Sequence, residues 1–129
     1  MMGSSVDSNT PKWRILIVED EFIVGLHLES ILERLGHEVV GVVAEEGEAL
    51  HIVATERPDL IVTDIHLARG GDGLRVAREA HELYGAKTVV ITGHRDGGTF
   101  LRAEEAGAKA FLRKPFGLSE VENVFAHLR

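Results

Sequence analysis

Five short apolar runs punctuate this chain, and each is followed by a longer amphipathic stretch. The runs are I-L-I-V at 15–18, V-V-G-V-V at 39–43, L-I-V-T at 60–63, V-V-I-T at 89–92 and A-F-L at 110–112. Apolar residues are continuous within them rather than alternating with polar ones. A strand that shows one face to water alternates, whereas a continuous run marks a strand covered on both faces. The intervening segments near 21–35, 46–56, 73–83, 97–105 and 118–128 read as helices, with Gly36, Pro58, Gly85 and Gly107 as stop signals. The unit strand-helix occurs five times, so the expected fold is α/β: a five-stranded parallel sheet, doubly wound, with helices on each side. The opening M-M-G-S-S-V-D-S-N-T-P is polar, small-residue and proline-terminated, and reads as a disordered leader over residues 1–11. The folded domain is expected over residues 12–129, a length that fits one core at 44% hydrophobic residues.

Charge narrows the partner classes. Fourteen Lys and Arg stand against 21 Asp and Glu, a formal charge of −7, which disfavours a nucleic-acid backbone as partner. The chain has no cysteine, so neither a disulfide framework nor a thiolate metal site is available. The first residues lack an apolar stretch long enough for a signal or membrane segment, and a cytoplasmic, membrane-free location is expected.

In open parallel sheets the active crevice forms outside the carboxyl ends of the strands. Strand one ends in R-I-L-I-V-E-D-E, placing Glu19, Asp20 and Glu21 side by side; strand three ends in Asp64, strand four in Thr92, and strand five leads to Lys114 and Pro115. The acidic triplet alone has two readings. Asp20 could cap a helix with Glu21 in the first turn, where negative charge suits the helix dipole. Alternatively the cluster calls for a cation, because adjacent like charges repel. The other strand ends favour the second reading. Carboxylates, a hydroxyl and an ammonium on one rim form an oxygen-rich site for a hard divalent cation. Mg²⁺ takes one or two carboxylates, several waters and a phosphoryl group. Asp64, directly after L-I-V-T, is the best-placed nucleophilic carboxylate.

V-E-D-E, L-I-V-T-D, V-V-I-T-G and L-R-K-P-F occur in that order at strand ends. Together they resemble the receiver domains of bacterial two-component response regulators, over about residues 13 to 128. The resemblance implies a flavodoxin-like strand order 2-1-3-4-5 with five helices. It implies that Asp64 is the phosphoacceptor, and that Mg²⁺ is held by Glu19, Asp20, Asp64 and the backbone carbonyl of His66. Lys114 would pair with phosphoryl oxygens, Thr92 would hydrogen-bond one of them, and Pro115 falls at the family's cis-proline position. Phe111 stands at the switch aromatic, as Phe instead of Tyr. His66 and His94 lie two residues past Asp64 and Thr92, where family members modulate dephosphorylation. Other departures are Glu19 in place of a commoner Asp, Ala68 in place of proline, and Gly70-Gly71, which loosen the loop after Asp64.

The implied function is a single-domain response regulator that accepts a phosphoryl group from a sensor histidine kinase or histidine phosphotransfer protein. It would act by protein contact or phosphate relay, not as an enzyme on an external substrate, and the resemblance leaves a homodimer open. The downstream protein is not named by the sequence. Two rivals come from other classes. A metal-dependent phosphatase of small molecules would carry a second Asp where His66 sits, and a flavodoxin-like cofactor binder would need a phosphate-cradling loop where the carboxylates are.

Helix one adds a surface. At 100° per residue Val24, Leu28, Ile31, Leu32 and Leu35 form the core stripe, while Phe22, Ile23 and Leu26 face elsewhere. These three, with Pro115 and Phe116 after strand five, are expected to dock a partner; cover by Phe116 is the alternative. His27, His37, His51, His81 and His127 show no paired metal-ligand spacing and read as surface or core-edge residues. Glu45, Glu46 and Glu48 read as an ordinary acidic first turn of a helix.

Overall fold

The structure, a computed structural model, describes residues 12–93 and 97–128. The expected leader and His94 lie outside the described residues. In chain order the elements are β1 (Arg14–Val18), α1 (Phe22–Arg34), β2 (Glu38–Val43), α2 (Glu46–Glu56), β3 (Leu60–Asp64), α3 (Gly73–Tyr84), β4 (Lys87–Thr92), α4 (Phe100–Glu105), β5 (Ala108–Arg113) and α5 (Leu118–Ala126). The strands form one five-stranded sheet in the order β2-β1-β3-β4-β5, and all four neighbouring pairs are parallel. Fold class and strand order are those implied by the sequence.

The unbroken apolar runs have their explanation in the pleat. Successive side chains of a strand point to opposite faces, and here both faces are covered. Ile15 and Ile17 of β1 pack with Leu28, Ile31 and Leu32 of α1 and with Val121 and Phe125 of α5. Leu16 and Val18 pack on the opposite side with Ala49 and Val53 of α2 and Val76 and Ala80 of α3. A third cluster joins Leu74 and Ala77 of α3 to Val90 and to Ala103 of α4. Each fully buried aliphatic side chain contributes about 1.5–3 kcal/mol relative to exposure, so a polar residue at Ile15, Leu16, Ile17 or Val18 would weaken one of these two packed layers.

Parallel register brings the strand ends level. Val18 lies opposite Thr63, Asp64 opposite Ile91, and Thr92 opposite Arg113. Glu19, Asp64 and Lys114 therefore emerge on the same rim, each at or one residue past its strand's last pairing.

Several boundaries shift by one to a few residues from the sequence expectation, the last helix ending at Ala126 instead of 128, and two of the shifts bear on the site. The segment 97–105 is not one α-helix: Gly97–Thr99 form a 3-10 turn and α4 begins at Phe100. Consecutive glycines cost an α-helix about 1 kcal/mol each, which delays its start. The helix α1 begins one residue later than expected, with Glu21 as its N-cap. Its faces divide as expected: Leu28, Ile31 and Leu32 are buried, whereas Phe22 and Ile23 are 69% and 74% exposed. Gly25 also belongs to the buried face, where a Cβ would lie 2.9 Å from Val42 Cγ1. No helix among the described residues is long and apolar enough to cross a membrane.

His37 is a core residue at the entry to β2. Its Nδ1 accepts a hydrogen bond from the Trp13 backbone N–H at 3.1 Å, and its ring packs 5.2 Å from that of Phe125. Burial holds its pKa below the ordinary 6.5, with the negative charge of Asp59 only partly offsetting. A histidine neutral in both states at high pH contributes no pH dependence there. As pH falls below 6.5 the unfolded chain takes up the proton first, so stability is lost through that window and the loss levels off below the folded value. We expect the stability advantage of the parent over His37→Asn to shrink between about pH 7.5 and 5, measured by urea unfolding. An advantage that stays constant over that range would exclude a buried neutral imidazole.

Candidate functional site

The rim beyond the strand ends gathers four carboxylates around one ammonium. Carboxylate oxygens of Glu19, Asp20, Glu21 and Asp64 all lie within 4.8 Å of one another. Lys114, one residue beyond β5, is positioned by its backbone N–H donating to Thr92 O at 2.8 Å. Its Nζ reaches Asp64 Oδ2 at 3.1 Å, Glu21 Oε1 at 2.9 Å and Glu19 Oε1 at 3.1 Å. The Lys114–Pro115 peptide is cis, as the sequence position suggested. Asp20 is not a helix cap: the N-cap is Glu21, whose side chain makes no capping bond, so the acidic triplet is not accounted for by helix termination.

Glu19 carries the electrostatic tension of the site. It is 2% exposed, anchored by its backbone N–H to Val43 O at 2.8 Å, and its Oε2 accepts from the Glu21 N–H at 3.0 Å. Its Oε1 is buried without a hydrogen bond, since the nearby Lys114 Nζ does not approach in bonding geometry. Burial pushes the Glu19 carboxyl up to about 7, helped by the negative charge of Asp64 and opposed by the Glu21 N–H and Lys114. For Lys114 burial acts to lower the pKa, but hydrogen bonds to Glu21 and Asp64 and the negative charge of the adjacent Glu19 outweigh it and hold the ammonium above its ordinary range. A buried carboxylate oxygen lacking a donor, inside a ring of carboxylates, fits a hard divalent cation.

Asp64 closes β3 and is 9% exposed. Its Oδ1 accepts from the Ile65 N–H at 2.7 Å, and its Oδ2 faces Lys114. The close seat of α3 depends on Gly73, where a Cβ would stand 1.7 Å from Asp64 O; the Gly73 N–H donates to Ile65 O at 2.8 Å. Nothing in the periodicity singled out Gly73, because close approach is a tertiary property. Thr92 closes β4 at 6% exposure.

The loop between β3 and α3 is not loosened by its glycines. Arg69 and Gly70 take left-handed conformations, φ 59 and 73, forming a tight turn closed by Gly71 N–H to Ala68 O at 3.2 Å. Ala68 N–H donates to Ala44 O at 3.1 Å, and Asp72 N–H donates to Glu46 Oε1 at 2.9 Å. Glu46 is thus a loop anchor rather than only a first-turn acid. His66 is exposed and bridged through its backbone to Asp72. Phe111 is partly buried against the α3–α4 cluster, with its ring 4.6 Å from that of Phe100. Phe116 stacks on His27 at 5.8 Å, so it covers that histidine and leaves Phe22, Ile23 and Leu26 exposed.

Sequence comparison matches residues 15–126 to the response regulator receiver domain. The chain belongs to the response regulator receiver family. This receiver is 34% identical over 123 residues to the transcriptional regulatory protein PdtaR of Mycobacterium tuberculosis, covering 94% of this chain and 59% of PdtaR. It is 34% identical over 113 residues to the phyllosphere-induced regulator PhyR of Methylorubrum extorquens, covering 87% of this chain and 42% of PhyR. The receiver therefore spans less than two thirds of these relatives. Among solved structures it is similar to the signal receiver domain of a modulated diguanylate cyclase from Desulfovibrio desulfuricans, with TM-score 0.78 and 29% identity over 90% of this chain and 95% of that one. It is also similar to the PhyR receiver domain of Erythrobacter litoralis, with TM-score 0.77 and 28% identity over 89% and 88% of the two chains. These relatives support neither the small-molecule phosphatase nor the flavodoxin-like cofactor reading.

Proposed function

We propose that this receiver accepts a phosphoryl group on Asp64 from a sensor histidine kinase or histidine phosphotransfer protein. The observation that carries the reading is the approach of Lys114 Nζ to Asp64 Oδ2, 3.1 Å, on a rim of four clustered carboxylates. In the transfer an Asp64 carboxylate oxygen attacks phosphorus, the P–N bond to the donor imidazole breaks, and an acyl phosphate forms while the electron pair leaves with the ring nitrogen. Lys114 moves from Glu19 and Glu21 toward the incoming oxygens, and the Thr92 hydroxyl donates to one of them. Glu19, Asp20, Asp64 and the His66 carbonyl would hold Mg²⁺, which supplies positive charge beside the phosphoryl oxygens. Phe111 would report the change by packing, and His66 and His94 would govern the approach of water. Residues 12–129 form the receiver unit, acting in the cytoplasm through protein contact or phosphate relay. In the parent protein acetyl phosphate with Mg²⁺ should add a single phosphoryl group, and Asp64→Asn should add none. Labelling that persists in the Asn variant excludes Asp64 as acceptor.

The donor docks on the exposed start of α1. Phe22, Ile23 and Leu26 are exposed large apolar residues, and they adjoin a cavity of about 420 Å³ lined by Val24, His27, Lys114, Pro115 and Phe116. Leu26→Ala should slow phosphotransfer from a cognate kinase several-fold, equivalent to about 1–2 kcal/mol of lost anchor contact, with acetyl phosphate labelling unchanged. Equal slowing with acetyl phosphate would place Leu26 in the chemistry or the core instead of the docking face.

A further inference from the structure

A second charged cavity lies away from the carboxylate rim, between α3 and α4. It measures about 210 Å³ and is lined by Asp72, Leu74, Arg75, Arg78 and Arg102. Three guanidinium groups thus line one cavity in a chain whose formal charge is −7. Grouped cations repel unless an anion joins them.

The protein's own acids meet that need for two of the three arginines. Asp72 is the single acid in the lining, and both its oxygens are engaged. Oδ1 accepts from the Leu74 N–H at 2.9 Å, capping α3, and Oδ2 accepts from Arg102 Nη2 at 2.8 Å. Arg75 lies 3.2 Å from Glu46 and 3.9 Å from Glu79, acids that do not line the cavity. Among the described residues Arg78 forms no ion pair or side-chain hydrogen bond. With Arg102 held by Asp72 and Arg75 by Glu46, Arg78 is the guanidinium of the lining left without an anion among the described residues.

We propose that this cavity is an oxyanion site that takes phosphate or a small phosphate monoester, gripped by Arg78 and Arg102 with Arg75 at its edge. Planar guanidinium forks match phosphate oxygens in pairs, which an ammonium cannot do. The volume is several times the ~30 Å³ that one water occupies, so a phosphate fits with part of its hydration shell. The cavity shares no lining residue with the Asp64 rim. The two are nonetheless joined through Asp72, which ends the loop leaving Asp64 and holds Arg102 on α4. An anion drawing on Arg102 competes with Asp72 for the same donor, so occupancy is felt at the start of α3.

The test is a nitrogen-15 NMR titration of the full chain with inorganic phosphate, with EDTA present and sodium chloride at matched ionic strength as control. Saturable shifts should centre on the amides of Leu74, Arg75, Arg78 and Arg102, leaving Asp64 and Lys114 still. Arg78→Ala should weaken phosphate binding at least tenfold while acetyl phosphate labelling proceeds at the parent rate. Arg78→Lys, which keeps the charge and removes the fork, should weaken it to an intermediate degree. A parallel titration with glycerol 3-phosphate identifies the source: tighter binding assigns a monoester, weaker binding assigns free phosphate. Shifts that chloride reproduces, shifts centred on Thr92 and Lys114, or parent-like affinity in Arg78→Ala overturn the proposal.

Discussion

One ammonium is shared among three carboxylates at the mouth of this sheet, and much of the surrounding structure serves to keep it there. Lys114 Nζ lies 2.9 to 3.1 Å from Glu19, Glu21 and Asp64. Four clustered carboxylates repel one another in six pairs, and a single ammonium supplies three close attractions, so the cluster is not balanced by its own groups. Burial, with the negative charge of Asp64, pushes the Glu19 carboxyl up to about 7, so this group gives up its proton far less readily than an ordinary carboxyl. The buried Oε1 without a donor is the part of the imbalance that protonation does not remove by itself.

Holding such a cluster together requires a rigid frame, and the parallel sheet provides it. Glu19, Asp64 and Thr92 end or directly follow strands buried on both faces, and Lys114 follows the edge strand β5, so ladder hydrogen bonds fix each backbone where the site begins. Register then sets the distances: Thr92 lies opposite Arg113, which places Lys114 within reach of Asp64 across one intervening strand. The glycine at 73 allows α3 to sit directly against the carbonyl of Asp64. The loop leaving Asp64 is in turn tied to α2 through Glu46 and to α4 through the Asp72–Arg102 pair.

The frame was legible in the sequence because it depends on local patterns. Continuous apolar runs give strands, strand ends give candidate chemistry, and the stripe at 24, 28, 31, 32 and 35 gives the buried face of α1. What escaped were tertiary relations. The sequence offers Glu21 as a first-turn acid or as one of an acidic triplet, and nothing in its neighbourhood reveals that Lys114, 93 positions away, binds it. The glycines at 70 and 71 suggest looseness, but one supplies a left-handed turn and the other a close approach to Glu46 and Leu67. Glu46 and His37 likewise owe their roles to partners distant in sequence.

The imbalance of the carboxylate rim makes a direct demand on experiment. If the cluster is a cation site, Mg²⁺ binds the folded chain and not the unfolded one, and stability rises with its concentration by about 2.7 kcal/mol at a hundredfold excess over the dissociation constant. Thermal unfolding should therefore be recorded with and without Mg²⁺ at matched ionic strength, for the parent and for Asp20→Asn. The account predicts a rise in melting temperature for the parent that is lost in the variant. A parent melting temperature that does not respond to Mg²⁺ would contradict it.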